Sequence, residues 1–346
     1  MKLRHLLYFV IPMSMVMSAC QSDDEINDDT PPEGALPSVE FTPNNLPEGP
    51  YAEDAIRIIA NNEYDSPFYS IELTPDGHYV LMQYEPHYMY SNGATSLSVK
   101  ANNDGSFMMR KKRNTETART RYTTDDNGTI YLGYGMEYGK FTKLDDTRYL
   151  LSNGVEVDLQ NISDPEKSIS YKNVDGTVSK IYVNVSQPAI MDDATKSLCH
   201  TWELNSYEIW AYLNKRYIVH GKQTVNEDGQ VETYFKTIYD DLTREDFFDE
   251  DYETCYQVVF TAENTYLCFY LDGTAEISKW DWIDKAQGTL HYEDWDGNVD
   301  YDENWDGYVT VRFAGSQMRI YEDYTDYEDN NTMRLVGVTT LTVNDY

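Results

Sequence analysis

The densest run of potential metal ligands is Glu293-Asp294-Trp295-Asp296-Gly297-Asn298-Val299-Asp300-Tyr301-Asp302-Glu303-Asn304-Trp305-Asp306-Gly307. Crowded carboxylates repel one another, and a hard cation coordinated by their oxygens relieves that repulsion. Asp302, Asn304 and Asp306 alternate as the opening oxygen ligands of a calcium loop do, with Gly307 where such a loop bends sharply. Phe313 stands where a bidentate glutamate should close the loop. Two readings follow: a weak Ca²⁺ site at Asp302, Asn304 and Asp306, or a pair of solvated hairpin turns rich in Asp-Gly. A second local signal is Arg110-Lys111-Lys112-Arg113, followed by Arg119 and Arg121 with Glu116 as the intervening acid. A solvated long loop explains this basic island, and its functional counterpart is an anionic partner such as a sulfated or phosphorylated glycan. The third signal is aromatic. Thirty-one tyrosines and six tryptophans exceed what a core needs, and both types stack on sugar rings or line amphipathic pockets. Strands also favour them for packing alone.

Catalytic motifs are missing: the sequence holds no G-x-S-x-G, no H-E-x-x-H and no P-loop. His78, His87, His200, His220 and His291 are scattered without metal-ligand spacing. With sixty acidic residues, any two could be promoted to a glycosidase dyad, so paired carboxylates select nothing. No catalytic residue is assigned, and a non-enzyme is expected. A formal net charge of -33 keeps the chain in solution and repels phosphate backbones, which excludes nucleic acid as a partner. Cys199, Cys255 and Cys268 are odd in number and none lies in a C-x-x-C pair. They are expected as small buried hydrophobes, with one disulfide compatible with an extracytoplasmic location.

The elements that must position these groups are mostly β. Ile71–Thr74, Pro75-Asp76-Gly77 and Tyr79–Leu81 spell a hairpin with its turn. Asn127-Gly128, Asn153-Gly154, Asp175-Gly176, Asp272-Gly273, Asp296-Gly297 and Asp306-Gly307 punctuate the rest. Turns at this spacing predict sandwiches or barrels and not βαβ units. A short amphipathic helix is expected over Ala52–Ala60, with Ala55, Ile56 and Ile59 on one side. All six tryptophans fall in the second half, and Ile71–Val80 echoes Val258–Leu267 in pattern. A shared hairpin type and a duplicated domain explain that echo equally well. The expected fold is two antiparallel β domains, barrel or sandwich, at residues 51–186 and 196–346.

The amino terminus adds an address. Lys2 and Arg4 precede an apolar run from Leu6 to Met17, too short for a permanent membrane span, and Ser18-Ala19 precede Cys20. Met17-Ser18-Ala19-Cys20 resembles the bacterial lipobox, which implies removal of residues 1–19 and lipidation of Cys20. Gln21-Ser22-Asp23-Asp24-Glu25 resembles the acidic export tag of Bacteroidota-type surface lipoproteins. Residues 20–50 hold six of the twelve prolines and many acids, so they are expected to form an unfolded tether. Residues 196–346 resemble the lipocalin-like domains of such lipoproteins. The likeness runs from Leu198–Leu204 through Val259–Tyr266, Leu271–Thr274 and Trp280-Asp281-Trp282 to Val309–Phe313 and Thr339–Val343. His200 replaces the glycine that the lipocalin first strand carries two residues before its tryptophan, so a lipocalin pocket is not implied. Residues 51–186 look like the halves that accompany such domains. The expected function is a non-catalytic lipoprotein, anchored in the outer membrane through Cys20 and facing outward, that binds an extracellular glycan or small amphipathic molecule. A polysaccharide hydrolase and a structural subunit of a surface assembly are the rival classes.

Overall fold

The hairpin spelled by Ile71–Leu81 forms as its residues dictate: β2 (Ser70–Leu73) pairs antiparallel with β3 (His78–Met82). Gly77 takes φ +88, a value that L side chains adopt poorly. The chain is seen in a computed structural model that describes residues 41–346. Excepted are 45, 47–48, 63–64, 84–95, 102–106, 113–119, 133–134, 187–191, 227–229, 239–241, 245–246, 249–253, 294–307, 329–330 and 345–346. Cys20, His87, the metal candidates Asp302, Asn304 and Asp306, and two of the glycine turns therefore lie outside the described residues.

The expected helix at Ala52–Ala60 is a correction. Residues Ala52–Asp54 make one 3-10 turn, and β1 (Ile56–Ala60) is a strand between β2 and the later β12. Ile58 and Ala60 are buried on one face. Three isoleucines in four residues fit a pleated surface better than a helix, where β-branched side chains crowd the preceding turn.

The first half continues with β4 (Ser96–Ala101) and β5 (Phe107–Lys112), which pair with each other. Arg110, Lys111 and Lys112 thus lie on a strand and not in the long loop expected. Next come β6 (Thr120–Thr124), β7 (Ile130–Leu132), β8 (Met136–Lys143) and β9 (Arg148–Leu151). The half ends with β10 (Glu156–Asp158), β11 (Ser168–Lys172) and β12 (Val178–Ser186). The pairings β1-β2-β3-β8-β9-β10-β11-β12 return to β1, an antiparallel ring of eight strands. Ile58, Ile71, Leu73, Leu81, Leu151 and Val157 fill it.

After helix α1 (Asp193–Leu198), whose first turn is capped by the Asp192 side chain, the second half opens with β13 (Thr201–Leu213). It continues through β14 (Arg216–Val225), β15 (Val231–Thr237), β16 (Cys255–Phe260) and β17 (Thr265–Tyr270). The remaining strands are β18 (Thr274–Asp284), β19 (Thr289–Glu293), β20 (Tyr308–Ala314), β21 (Gln317–Glu328) and β22 (Asn331–Val343). Here β13-β16-β17-β18-β19-β20-β21-β22 closes back on β13, an eight-strand antiparallel barrel. Trp202, Phe260, Tyr270, Trp280 and Leu290 pack inside it. The fold is mostly β, with an eight-strand antiparallel barrel and additional strands.

Both rings run in the same order, and each gives one strand edge to an extra hairpin. β8 shares one edge between β7 and β9, and β13 shares one between β16 and β14. The sequence echo has a structural counterpart in the two turns. Thr74 N–H donates to His78 O at 2.8 Å and Thr261 N–H to Thr265 O at 2.9 Å. Each threonine hydroxyl also accepts from the backbone four residues on, and Asn264 (φ +68) stands where Gly77 does.

The expected tether ends earlier than residue 50. Phe41 packs edge-on against Trp282 and Phe313, with both centroids at 5.8 Å. Asn44 N–H donates to Ser197 Oγ at 2.9 Å, and Leu46 packs on the barrel core. Two apolar side chains suffice to dock this stretch. Cys199, Cys255 and Cys268 form no disulfide, and Cys199 and Cys268 are buried. No helix among the described residues is long and apolar enough to cross a membrane.

Candidate functional site

Strands β2 and β3 are buried on both faces because their outer side meets the other barrel. Val80, Met82 and Tyr138 from the first ring pack on Val259, Leu267 and Phe269 from the second. Polar groups border this apolar seam. Glu72, on β2, accepts from Thr265 Oγ1 at 2.7 Å and Thr261 Oγ1 at 2.8 Å, with Arg57 Nε 3.7 Å away. Burial raises its pKa despite the nearby guanidinium and both threonines. At the matching turn positions, Asp76 and Glu263 each reach across to the opposite ring. Thr201 Oγ1 donates to Asp76 Oδ2 at 3.1 Å, and Ser186 Oγ donates to Glu263 Oε2 at 3.0 Å.

The two acids differ electrostatically. Burial opposes the charge of Asp76, but His78, whose Nδ1 lies 3.1 Å away, and the Thr74 and Thr201 hydroxyls bring its pKa down to about 2. Burial, and then the charge of Glu72, push Glu263 up to about 7. Tyr138, stacked on His78 at 5.2 Å, shares a 3.1 Å hydrogen bond with Thr201. Its phenol is driven up by burial and by Asp76. Cys199 is pushed up by the same two influences and is an inert thiol. Glu72 is closed off from solvent, and the seam acts as a joint between the rings.

The joint has a pH signature. Glu263 binds its proton more tightly folded than unfolded, so its contribution to stability is full below about 4.5 and fades as pH rises through about 7. Glu263→Gln should match the parent near pH 5 and exceed it near pH 8 by about 1 kcal/mol, a value discounted for partial solvent exposure. Urea midpoints across that range check this; an equal offset at both ends removes the assignment.

The second cluster is solvent-facing. On the outer side of β13, β14 and β15, Trp210, His220 and Tyr234 form a stepped row. The His220 ring stacks on Trp210 at 5.3 Å and 11° and meets Tyr234 edge-on at 5.4 Å. Trp210 is buried beneath, while Tyr234 is 50% exposed. Register explains the row: Trp210 stands opposite His220 on the neighbouring strand, and Lys222 stands opposite Tyr234. Glu208 Oε1 lies 2.7 Å from His220 Nε2, and its other oxygen is 3.6 Å from Lys222 Nζ. Burial works against the Glu208 charge, and His220 with Lys222 outweighs it, holding the pKa below its ordinary value. Towards β22, Tyr212 carries Arg334 5.8 Å above its ring, and Arg334 makes a two-pronged contact with Asp323 on β21. An aromatic face beside fixed acceptors and donors is what a polyhydroxylated ring requires.

The sequence did not single out these residues. Glu208, Trp210 and Tyr212 alternate along one strand, a period-two signal, but their neighbours on β14 and β15 come from register that spacing alone does not reveal. Of the basic island, Arg121 is exposed on β6, and Arg113 and Arg119 lie outside the described residues. Among the described residues no three His, Cys, Asp or Glu side chains gather at metal-binding distance.

No protein-family model matches the chain, and no curated protein matches it. Among solved structures, a virginiamycin B lyase from Staphylococcus aureus is 10% identical, covering 81% of this chain and 98% of its own, with a TM-score of 0.12. A DUF3598-family protein of unknown function from Nostoc punctiforme is 9% identical, covering 84% and 94%, with a TM-score of 0.12. Likeness at that level carries no argument about this chain.

Proposed function

We propose that the chain is a non-catalytic lipoprotein of the bacterial cell surface, held in the outer membrane by lipid on Cys20, which binds an extracellular glycan. The binding face is the outer side of β13–β15, and the observation that carries the reading is Tyr234, half exposed and braced edge-on by His220 over Trp210. A stacked support fixes the tyrosine ring before ligand arrives, so little rotamer entropy is lost on binding. Glu208, held ionised, accepts from sugar hydroxyls, and Lys222 donates to them or to an acidic substituent. With its pKa held below the ordinary value, Glu208 is unsuited to the protonating-acid role that glycoside cleavage requires. The second barrel is read as lipocalin-like from its eight-strand meander. Its interior is occupied by Trp202, Phe260, Tyr270 and Trp280, which favours the outer face over a cup for the ligand.

The test is an oligosaccharide array with neutral and sulfated members, followed by titration of the best ligand. Tyr234→Ala should weaken binding about tenfold, the loss of one aromatic stacking contact. Undiminished binding by that variant, or no glycan bound at millimolar concentration, ends this reading. Release of reducing ends from any array member would favour the hydrolase instead.

A further inference from the structure

Strand β15 pairs with β14 on one side, and among the described residues no register joins it to a strand on the other. The phase of its ladder is fixed at both ends. Asn226 N–H donates to Gln230 O at 3.0 Å, and Ile238 N–H donates to Ile218 O at 3.1 Å. In an antiparallel pair, hydrogen-bonded residues alternate with non-bonded ones. Glu232, Tyr234 and Lys236 therefore direct their backbone groups at β14, while Thr233 and Phe235 direct theirs outward. An edge of this kind is a template for another strand.

We propose that β15 pairs antiparallel with β15 of a second copy of this chain, about a twofold axis at Tyr234. Three features select that partner and that register. Outward-directed residues must face outward-directed residues, and Thr233 opposite Phe235 satisfies this on both sides of the axis. The same register sets Glu232 opposite Lys236 twice, as non-hydrogen-bonded pairs in which side chains approach most closely. Sliding by two residues in either direction loses both charge pairs, setting Glu232 against Tyr234 or Lys236 against Tyr234. Glu232 and Tyr234 are exposed on this strand. The twofold axis is normal to the sheet, so β13-β14-β15 continues into its copy with both outer faces on one side. The two Tyr234–His220–Trp210 rows then share one surface, whichever ligand that surface takes.

A single seven-residue ladder buries less area than a permanent interface, so a weak dimer is expected, with a dissociation constant of roughly 100 µM. Sedimentation equilibrium of the full chain from about 5 to about 500 µM spans that value. Glu232→Lys and Lys236→Glu each place like charges opposite one another twice, and each should weaken the dimer at least tenfold. The double reversal Glu232→Lys with Lys236→Glu recreates both pairs and should return the constant to within about threefold of the parent. Far-ultraviolet circular dichroism establishes that each variant remains folded, and Glu232→Gln with Lys236→Gln serves as a neutral reference between the extremes. A monomer at every concentration overturns the proposal. So does a dimer that the single reversals leave intact, or one that the double reversal fails to restore.

Discussion

Glu72→Ala is expected to cost the folded state about 3 kcal/mol. The reason lies in who depends on that carboxylate. Thr261 and Thr265 sit at the start and end of a turn in the opposite ring, both buried, and both donate to Glu72. Removing it leaves two buried hydroxyls without their acceptor and takes from Arg57 a counter-charge at 3.7 Å. No water-filled route replaces them, because Glu72 itself is closed to solvent. Glu72→Gln keeps an oxygen for one threonine and the volume of the side chain, and should cost about 1 kcal/mol. Denaturant titration at neutral pH separates the two variants; equal midpoints would mean that the threonines find other acceptors and that the joint is looser than drawn.

Phe269→Ala should cost about 4 kcal/mol. Its ring is fully buried on the outward face of β17, tilted against Tyr138 of the first ring at 5.5 Å and edge-on to Tyr122 of the β6-β7 hairpin at 5.8 Å. The cavity left lies between two closed ladders, neither of which can shift inward to fill it, so the loss stays near the upper part of the usual range. A double-mutant cycle of Phe269→Ala with Tyr122→Ala should return a coupling of about 1 kcal/mol. A coupling near zero would show that the two rings fold without support from this contact.

These two positions illustrate what was legible beforehand. The first hairpin announces itself through Pro75-Asp76-Gly77 and the second through its echo of Ile71–Val80, since turn chemistry is local. Closure is not local. β1 meets β12 across more than a hundred residues, and β13 meets β22 across a similar span; alternation says that a strand has a buried face without saying against what. Glu72 reads as the polar member of an Ile-Glu-Leu alternation, hence solvent-facing, and only the presence of a second ring turns that face inward. Ala52–Ala60 fits two patterns at once: Ala55, Ile56 and Ile59 satisfy helical spacing, while Ile56, Ile58 and Ala60 satisfy the strand period that the fold adopts. The abundance of tyrosine pointed to an aromatic surface, but His220 and Tyr234 join Trp210 through strand register, which composition does not carry. The calcium candidates remain outside the described residues.

The unequal closure of the two rings bears on the order in which a nascent chain can become compact. The first ring is sealed by β12, which ends at Ser186, little more than halfway along the sequence. The second is sealed by β22, the last strand, which holds eleven registered pairs with β13 and twelve with β21. While the rest of the chain is still emerging, the first ring is complete yet carries Val80, Met82 and Tyr138 on an uncovered outer wall. That interval is when a holding chaperone has a surface to grip and when aggregation competes with folding. Truncation of even the final strand would prolong the interval, since among the described residues β22 is the strand that bridges β21 and β13.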